Sequence, residues 1–288
     1  MLDGVQIELA GRIPLQHAEL VTRYIEDQDT LLLDTRSLRW ASPLELAALV
    51  TIGTDAAHQG RDVRLQLPYD EKVTSYLGRM NVIDLLEEAG CKFDGSPLAT
   101  GRRDRRDTLF EVTKVTTADS QQVAERLGEM AFGRLGRKAG AAAFKAMSEL
   151  LDNATTHGVS DVGAFTAAQL LTGVTSNWPG FAFTVCDAGV GIFEHLRASA
   201  PHQDLVDSRA ALERALQHKV SGVPGGNRRG YGLGDLGKYA RSDGGGRLII
   251  RSNGAVASVV LRSECKINYS TFTAPMNGTW ASLRVRRT

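Results

Sequence analysis

Glu149, Asn153 and His157 follow one another at intervals of four residues, in a segment whose apolar spacing predicts a helix. At 3.6 residues per turn these side chains project from one face, so a carboxylate, an amide and an imidazole converge. An amide oxygen is a hard, neutral ligand that suits Mg²⁺, and a carboxylate one turn earlier is placed to polarise a water for attack on a phosphate. An ordinary amphipathic core helix has the same apolar pattern, so the spacing alone does not separate the two interpretations.

Asp187 ends an apolar run at residues 181–186 that is typical of a strand packed on both faces. A carboxylate in that position is costly unless it is paired, and the exocyclic amine of adenine is a natural donor to it. Gly189 and Gly191 follow at a spacing that lets the backbone approach a base, because neither residue has a Cβ. A tight turn after a strand favours the same residue types, which leaves a structural interpretation open.

Residues 225–234 contain too many glycines for regular structure and lead into a predicted helix. Backbone N–H groups at a helix start bind phosphate oxygens, and the helix dipole favours their negative charge. Arg228 and Arg229 are suited to the terminal phosphates, and Arg229 is preferred because it adjoins Gly230. A flexible surface linker is the alternative. Residues 193–227 are predicted to form a mobile lid over a bound nucleotide.

These three segments together resemble the ATP-binding site of the superfamily that unites DNA gyrase, heat-shock chaperone, histidine kinase and MutL ATPases, often called GHKL. Its sequence boxes are Glu-x-x-x-Asn on a helix, Asp-x-Gly-x-Gly, and Gly-x-Gly followed by a hydrophobic residue, with a Gly-Thr opening the last strand. The resemblance covers about residues 108–286. The matching residues are Glu149, Asn153, Asp187, Gly189, Gly191, Gly230, Gly232, Leu233, Gly278 and Thr279.

The resemblance implies ATP and Mg²⁺ as cofactors, with Glu149 as the catalytic base and Asn153 as the metal ligand. It also implies a Bergerat-type α/β sandwich, in which helices cover a mixed, mostly antiparallel sheet. From the resemblance and the segment chemistry together, the predicted cofactor-binding residues are Asn153, His157, Asp187, Gly189, Gly191, Arg229, Gly230, Gly232, Leu233, Gly234 and Thr279. A histidine before a glycine is also a good C-terminal cap of a helix, so the role of His157 stays open.

Composition bounds the remaining possibilities. A chain of 288 residues is long enough for two domains of ordinary size. Its net charge of +1 disfavours nucleic acid as a partner. Cys91, Cys186 and Cys265 are widely spaced and form no metal-binding pattern, which is typical of a reducing compartment. We find no leader pattern and no apolar stretch long enough to span a bilayer, and therefore expect a cytoplasmic protein without a membrane partner.

Residues 94–107 combine Gly, Pro and mixed charges without hydrophobic periodicity, which predicts a solvated linker between domains at 1–93 and 108–288. In the first domain short apolar strands alternate with helices, as in α/β layer folds. Residues 31–68 resemble the STAS domain, the fold of bacterial anti-sigma factor antagonists. This resemblance covers about residues 5–90 and depends on pattern more than on diagnostic residues.

The chain departs from the STAS pattern at the phosphoacceptor position. The turn that carries the phosphoacceptor serine in that family falls on residues 42–45, where Pro43 or Leu44 occupies the serine position. Ser42 is better interpreted as the N-cap of the following helix, with Pro43 at its first position and Glu45 at its third. We therefore expect a binding or scaffolding role for this domain rather than a phosphorylation switch.

The predicted elements alternate in type along the chain. Strands are predicted at residues 6–9, 30–34, 63–67, 109–115, 164–171, 181–186, 247–252, 255–261 and 280–285. Helices are predicted at residues 16–27, 44–59, 71–80, 83–89, 118–135, 139–157 and 232–241, with helical spacing also at 205–218. Asn253 and Gly254 indicate a tight hairpin.

Two functions remain open at the level of sequence. The chain is either a regulatory enzyme that hydrolyses ATP or phosphorylates a protein partner in signalling, or a non-hydrolysing, ATP-gated protein-binding module of the anti-sigma or scaffold kind. Glu149 favours the enzyme, since a pure binding module has no need of a carboxylate beside the phosphate. Both functions imply a protein partner, and homodimerisation is compatible with either. No histidine-bearing helix pair precedes the ATPase-like region, which disfavours an orthodox sensor histidine kinase.

Overall fold

The structure is a computed structural model, and it shows a mixed α/β fold built on two sheets. It describes residues 7–14, 19–25, 30–95, 107–158, 160–172, 179–217, 245–261, 265–271 and 276–286. Within these residues, no helix is both long and apolar enough to cross a membrane.

The first sheet has five strands in the order β1-β2-β3-β4-β5. Its strands are β1 (Ile7–Pro14), β2 (Glu19–Ile25), β3 (Thr30–Asp34), β4 (Asp62–Gln66) and β5 (Lys92–Asp94). The helices are α1 (Pro43–His58), α2 (Glu71–Arg79) and α3 (Val82–Glu88). The pairs β3/β4 and β4/β5 are parallel, and helices connect them because parallel neighbours require a crossover. The pairs β1/β2 and β2/β3 are antiparallel.

The second sheet has seven strands in the order β11-β10-β9-β12-β8-β7-β6. They are β6 (Leu109–Val115), β7 (Ala164–Leu171), β8 (Gly180–Asp187), β9 (Gly246–Ser252), β10 (Ala255–Leu261), β11 (Cys265–Thr271) and β12 (Thr279–Arg286). The helices of this region are α4 (Ser120–Thr156), α5 (Gly191–Arg197) and α6 (Ser208–Ala215).

Helix α4 folds back on itself at Gly136, whose φ of 77° and ψ of 174° are not helical. The two arms pack closely, since a Cβ added at Gly128 would lie 2.7 Å from the Phe144 ring and one at Gly140 would lie 2.8 Å from Phe132 Cα. The rings of Phe132 and Phe144 are 6.4 Å apart between centroids. α4 is therefore a hairpin of two antiparallel arms, and the predicted helices at 118–135 and 139–157 are confirmed.

The hairpin also explains a difference from the expected sheet. A mixed, mostly antiparallel sheet was expected, but every strand pair of the seven-stranded sheet is antiparallel. The two arms of α4 lead the chain away from the end of β6 and back to the same end of the sheet. β7 therefore starts beside the end of β6 and runs antiparallel to it, without a parallel crossover. The Asn253-Gly254 hairpin is confirmed, with β9 and β10 paired on either side of it.

Helix α1 lies between the two sheets. Eleven of its 16 residues are buried, because apolar side chains occur on all of its faces. Its leucines share one hydrophobic cluster with residues on both sheets, including Leu33, Phe165, Cys186 and Trp280. The opposite face of the seven-stranded sheet packs against α4 in a second cluster. Both faces of this sheet are thus covered, which is consistent with the fully buried pattern of β8.

One helix prediction is wrong, and two strands were not predicted. Residues 16–27 were expected to be helical, but Glu19–Ile25 form β2 between β1 and β3. The β-branched and aromatic residues of this segment suit a strand, and pairing on both sides outweighs the helical spacing. Strands β5 and β11 were missed, and the predicted helix at 232–241 lies outside the described residues. Most of the predicted linker, residues 96–106, lies outside them as well, so the division into domains stays a prediction.

Ser42 is the N-cap of α1, as predicted, with Pro43 in the first turn and Glu45 at the third position. The Ser42 backbone N–H donates to Glu45 Oε2 at 2.8 Å, and the Ser42 hydroxyl donates to the same oxygen. Both residues are buried. These bonds use the serine hydroxyl within the fold, which supports the structural interpretation of this residue.

Candidate functional site

The site centres on Asp187, the last residue of β8. This strand lies between β7 and β12, and Asp187 is only 1% exposed. Its Oδ1 accepts hydrogen bonds from the backbone N–H of Gly189 at 3.0 Å and of Thr279 at 3.2 Å. No described residue donates to its Oδ2. The described residues therefore hold the carboxylate through one oxygen only.

The pKa of the Asp187 carboxyl group is also shifted from its ordinary value. Burial raises the pKa of Asp187 to about 7, although the N–H groups of Gly189 and Thr279 act in the opposite direction. Two hydrogen bonds thus fall short of offsetting the loss of solvent. A strongly perturbed acid at the end of a buried strand is a candidate functional group.

Glycines allow the backbone to pack tightly around Asp187. A Cβ at Gly189 would lie 1.3 Å from the carbonyl oxygen of Gly158, the residue that follows the end of α4. The Val190 N–H donates to that same oxygen at 3.1 Å. A Cβ at Gly158 would lie 2.9 Å from Asp187 Oδ1. The end of α4 and the loop after β8 therefore meet at distances that no side chain permits.

The start of α5 is bound to the β9–β10 hairpin. The Ile192 N–H donates to Ser252 Oγ at 2.8 Å, and Asn253 Nδ2 donates to the Val190 carbonyl at 3.3 Å. Gly191 has a φ of +77°, and a Cβ there would lie 2.3 Å from Asn253 Oδ1. These contacts hold the Asp-x-Gly-x-Gly segment as a rigid turn.

The Gly-Thr pair also lies at Asp187, as the resemblance implied. Gly278 has a φ of +75°, and a Cβ there would lie 2.0 Å from the Asp187 carbonyl oxygen. Thr279 opens β12, and its N–H holds Asp187 Oδ1. Its hydroxyl is within hydrogen-bond distance of Ser252 Oγ, at 3.1 Å. The structure thus brings the second and fourth sequence boxes together, with Gly158, which follows the C-cap of α4, beside them.

Glu149, Asn153 and His157 lie on the second arm of α4 and are half-buried. Met147 and Leu151 on the same arm are buried in the core, so the arm is amphipathic and carries its polar residues on another face. The Asn153 Nδ2 atom is buried and has no hydrogen-bond partner among the described residues. The side-chain amide therefore has polar capacity that the described residues do not use.

Asn153 also determines how α4 ends. Its carbonyl oxygen accepts from the N–H groups of His157 at 2.9 Å and Gly158 at 3.2 Å. His157 is the C-cap residue of the helix. Its ring lies 4.7 Å, between centroids, from the ring of His195 on α5. Burial, and the neighbouring His157, lower the pKa of His195.

Part of the predicted site lies outside the described residues. This applies to the glycine-rich loop as a whole, with its predicted residues Arg228, Arg229, Gly230, Gly232, Leu233 and Gly234. Of the predicted lid, residues 193–217 are described and contain most of α5 and all of α6, where helical spacing was predicted. The geometry of a triphosphate-binding loop is therefore not part of the described site.

Four residues of the site were not predicted: Gly158, His195, Ser252 and Asn253. The sequence indicated a helix cap for Gly158 and a hairpin for Asn253, but it did not indicate their contacts with the Asp187 loop. Ser252 ends a strand with no motif around it. His195 lies four residues after Gly191, and only the fold places it beside His157.

The side chains at this site could bind magnesium only if oxygens of a bound ligand supplied further coordination. No cluster of three or more His, Cys, Asp or Glu side chains suited to a metal ion occurs in the described part of the chain. Mg²⁺ commonly takes one or two protein ligands, and phosphate oxygens and waters complete its octahedron. The side-chain oxygen of Asn153 is a ligand type suited to that minimal contribution, whereas its buried Nδ2, which has no partner among the described residues, is a donor and does not bind cations.

A functional assignment for this chain depends on the residues of the site described above. No protein-family model matches the chain, and no curated protein matches it.

Proposed function

We propose that the chain is a regulatory protein that binds ATP and Mg²⁺ through a histidine kinase-like domain of the GHKL type, preceded by a STAS-like domain. The proposal includes the finer architecture, a Bergerat-type α/β sandwich at residues 108–288. One observation carries it: Asp187 is buried at the end of β8 with a raised pKa, and no described residue donates to its Oδ2.

The exocyclic amine of adenine supplies the donor that Oδ2 lacks. An amine hydrogen bonded to a buried carboxylate stabilises its charged form, because the local dielectric is low. Gly189 and Gly278 have no Cβ, and the backbone of Gly158 and of Asp187 itself occupies the space beside them, so these glycines hold the carboxylate in place by close packing. Guanine carries a carbonyl oxygen in place of this amine, and the site therefore discriminates against it.

The polar face of α4 would take the phosphate end of the nucleotide. Asn153 would hold Mg²⁺ through its amide oxygen, and the ion would neutralise phosphate charge when bound. Glu149, one turn earlier, would orient and deprotonate the attacking water or hydroxyl. His157 is one turn beyond Asn153 and would contact the phosphates from the end of the helix.

The reaction is proposed to be ATP hydrolysis or the phosphorylation of a protein partner. It is tested by single-turnover incubation of the full chain with γ-labelled ATP and Mg²⁺, comparing wild type with Glu149→Ala. Glu129→Ala is the matched control, since Glu129 is exposed on the other arm of α4. Labelled free phosphate that is released by the wild type and by Glu129→Ala, but not by Glu149→Ala, indicates an ATPase. Label on a co-purified protein indicates a kinase.

Tight ATP binding without turnover in the wild type would instead indicate the ATP-gated binding module. Failure of the wild type to bind any adenine nucleotide would contradict the proposed function altogether. The metal assignment has its own test, since Asn153→Ala is expected to weaken binding in the presence of Mg²⁺ and to leave metal-free binding nearly unchanged. Equal Mg²⁺ dependence in this variant and the wild type would show that Asn153 is not the ligand.

A further inference from the structure

The end of β8 presents two adjacent residues to opposite faces of the seven-stranded sheet. Side chains alternate along a strand, so Cys186 and Asp187 point in opposite directions. Cys186 is fully buried in the cluster that contains α1, whereas Asp187 lies at the candidate nucleotide site. Helix α1 therefore packs directly behind the carboxylate.

Two side chains one helical turn apart on α1 reach the segments that hold Asp187. Thr51 donates its hydroxyl to the Ala47 carbonyl at 2.8 Å, and the same hydroxyl oxygen lies 3.5 Å from the carbonyl oxygen of Cys186. Asp55 Oδ2 accepts from Asn277 Nδ2 at 3.4 Å. The first contact reaches β8, and the second reaches the segment before β12.

The Asp55–Asn277 contact is one residue away from the groups that fix the carboxylate. Asn277 is followed by Gly278, which lies against the Asp187 backbone, and by Thr279, which donates to Asp187 Oδ1. A shift of Asn277 therefore moves the Thr279 N–H relative to the carboxylate. Asp55 is half-buried, and Gln59 Nε2, at the C-terminal end of α1, donates to the same Oδ2 at 2.9 Å.

We propose that Asp55 is a positioning residue that acts through Asn277 and Thr279 on Asp187, so that the helix between the two sheets sets the base selectivity of the nucleotide site. This inference rests on the proposed function, since it concerns the same carboxylate. In physical terms, the direction of the Asp187 carboxylate depends on the side chain of Asp55, which belongs to the N-terminal α/β region.

The ratio of ATP to GTP affinity distinguishes a positioning role of Asp55 from a purely structural one. Loss of the Asp55–Asn277 contact removes one of the contacts that position Gly278 and Thr279, while those from Ser252 and Asn253 remain. We expect the Thr279 N–H to shift slightly, so that the carboxylate points less well at the adenine amine. GTP lacks that amine, so its binding depends less on the direction of Asp187. We expect the ratio of ATP to GTP affinity to fall roughly threefold to tenfold in Asp55→Ala, the size typical of coupling through an intermediate residue.

The experiment measures ATP and GTP affinities of the full chain by calorimetry, with the melting temperature of each variant recorded beside them. The variants are Asp55→Ala, Asn277→Ala, their double mutant and Asp55→Asn. Gln59→Ala is the control, because Gln59 bonds the same carboxylate from the C-terminal end of α1. Asn277 is exposed, so Asn277→Ala keeps the test open should Asp55→Ala fail to fold.

We expect each single alanine variant to lower the selectivity ratio and the double mutant to lower it no further. Asp55→Asn keeps an acceptor oxygen and is expected to retain the wild-type ratio, as is Gln59→Ala. ATP binding by the wild type with an unchanged ratio in Asn277→Ala would overturn this inference and leave the proposed function standing. Absence of ATP binding by the wild type would overturn both.

Discussion

Two carboxylates are buried to the same degree on opposite faces of the seven-stranded sheet, and their surroundings differ. Glu45, at the start of α1, accepts from the backbone N–H and the hydroxyl of Ser42, and it interacts electrostatically with Arg251 on β9. Asp187, at the end of β8, accepts two backbone N–H groups through Oδ1 alone.

The difference gives the two carboxylates opposite expected effects on stability, and it is consistent with the proposed role of Asp187. Removal of a buried charge to which the fold supplies donors leaves those partners unsatisfied and is strongly destabilising, whatever the net contribution of the group to stability. A buried charge that the fold satisfies only in part costs stability and persists where a ligand completes it. On this reasoning Glu45 stabilises the start of α1, and Asp187 is the carboxylate that the proposed nucleotide would stabilise.

The largest effect is expected when Glu45 is removed. Burial lowers the pKa of Arg251, and the charge of Glu45 opposes that shift, so Glu45→Ala removes the acceptor of both Ser42 bonds and weakens the electrostatic stabilisation of a buried guanidinium. We expect the free energy of unfolding to fall by roughly 3–5 kcal/mol, measured by chemical denaturation. The exposed Glu87→Ala is the control and should change little. A loss no larger than that of the control would remove the distinction between the two carboxylates.

Neutralising Asp187 should raise the free energy of unfolding, whereas removing Glu45 should lower it. In the native protein its carboxyl group keeps a proton up to about pH 7, whereas in the unfolded chain it releases the proton near pH ~4. Between these values the native state binds more protons, so wild-type stability falls as pH rises. Asp187→Asn removes this titration.

We therefore expect Asp187→Asn to be more stable than wild type by roughly 2–4 kcal/mol above pH 7, with the difference shrinking as pH falls toward ~4. Denaturation curves for both proteins across this pH range measure the difference. A variant that is less stable than wild type at pH 8 would show that the fold does satisfy this carboxylate.

A smaller effect tests the close packing of the turn. Gly189→Ala places a Cβ on the Gly158 carbonyl, so the end of α4 and the Asp187 loop must separate. We expect a loss of roughly 1–3 kcal/mol in stability together with weaker ATP binding. Gly133→Ala on α4 is the matched control, because a Cβ there meets nothing within 4 Å. The control should be neutral or stabilising by about 0.5–1 kcal/mol.

The strongest local patterns were readable from the sequence. The apolar run before Asp187 predicted a strand buried on both faces, and β8 has that burial. The Ser42-Pro43 pair predicted the start of α1, and the predicted strands at 109–115, 164–171 and 255–261 coincide with β6, β7 and β10. Such predictions succeed where the period and the capping residues agree.

Long-range placement was not readable. The apolar faces of α1 indicate that it is buried, but not that Cys186 and Trp280 of a distant sheet cover it. The contact between Asp55 and Asn277 joins residues 222 positions apart, and nothing in either neighbourhood indicates it. The helical spacing at 16–27 was outweighed by pairing with strands on both sides, which is a tertiary effect.

Calorimetric titration of wild type and Asp187→Asn with ATP and Mg²⁺ at pH 8 tests the central claim most directly. Asparagine keeps an oxygen for Gly189 and Thr279 but presents an N–H₂ group to the adenine amine, so we expect at least a roughly tenfold weaker affinity in a protein that is no less stable. Equal affinity in the two proteins, or no heat of binding in the wild type, would contradict the assignment of Asp187 as the adenine acceptor.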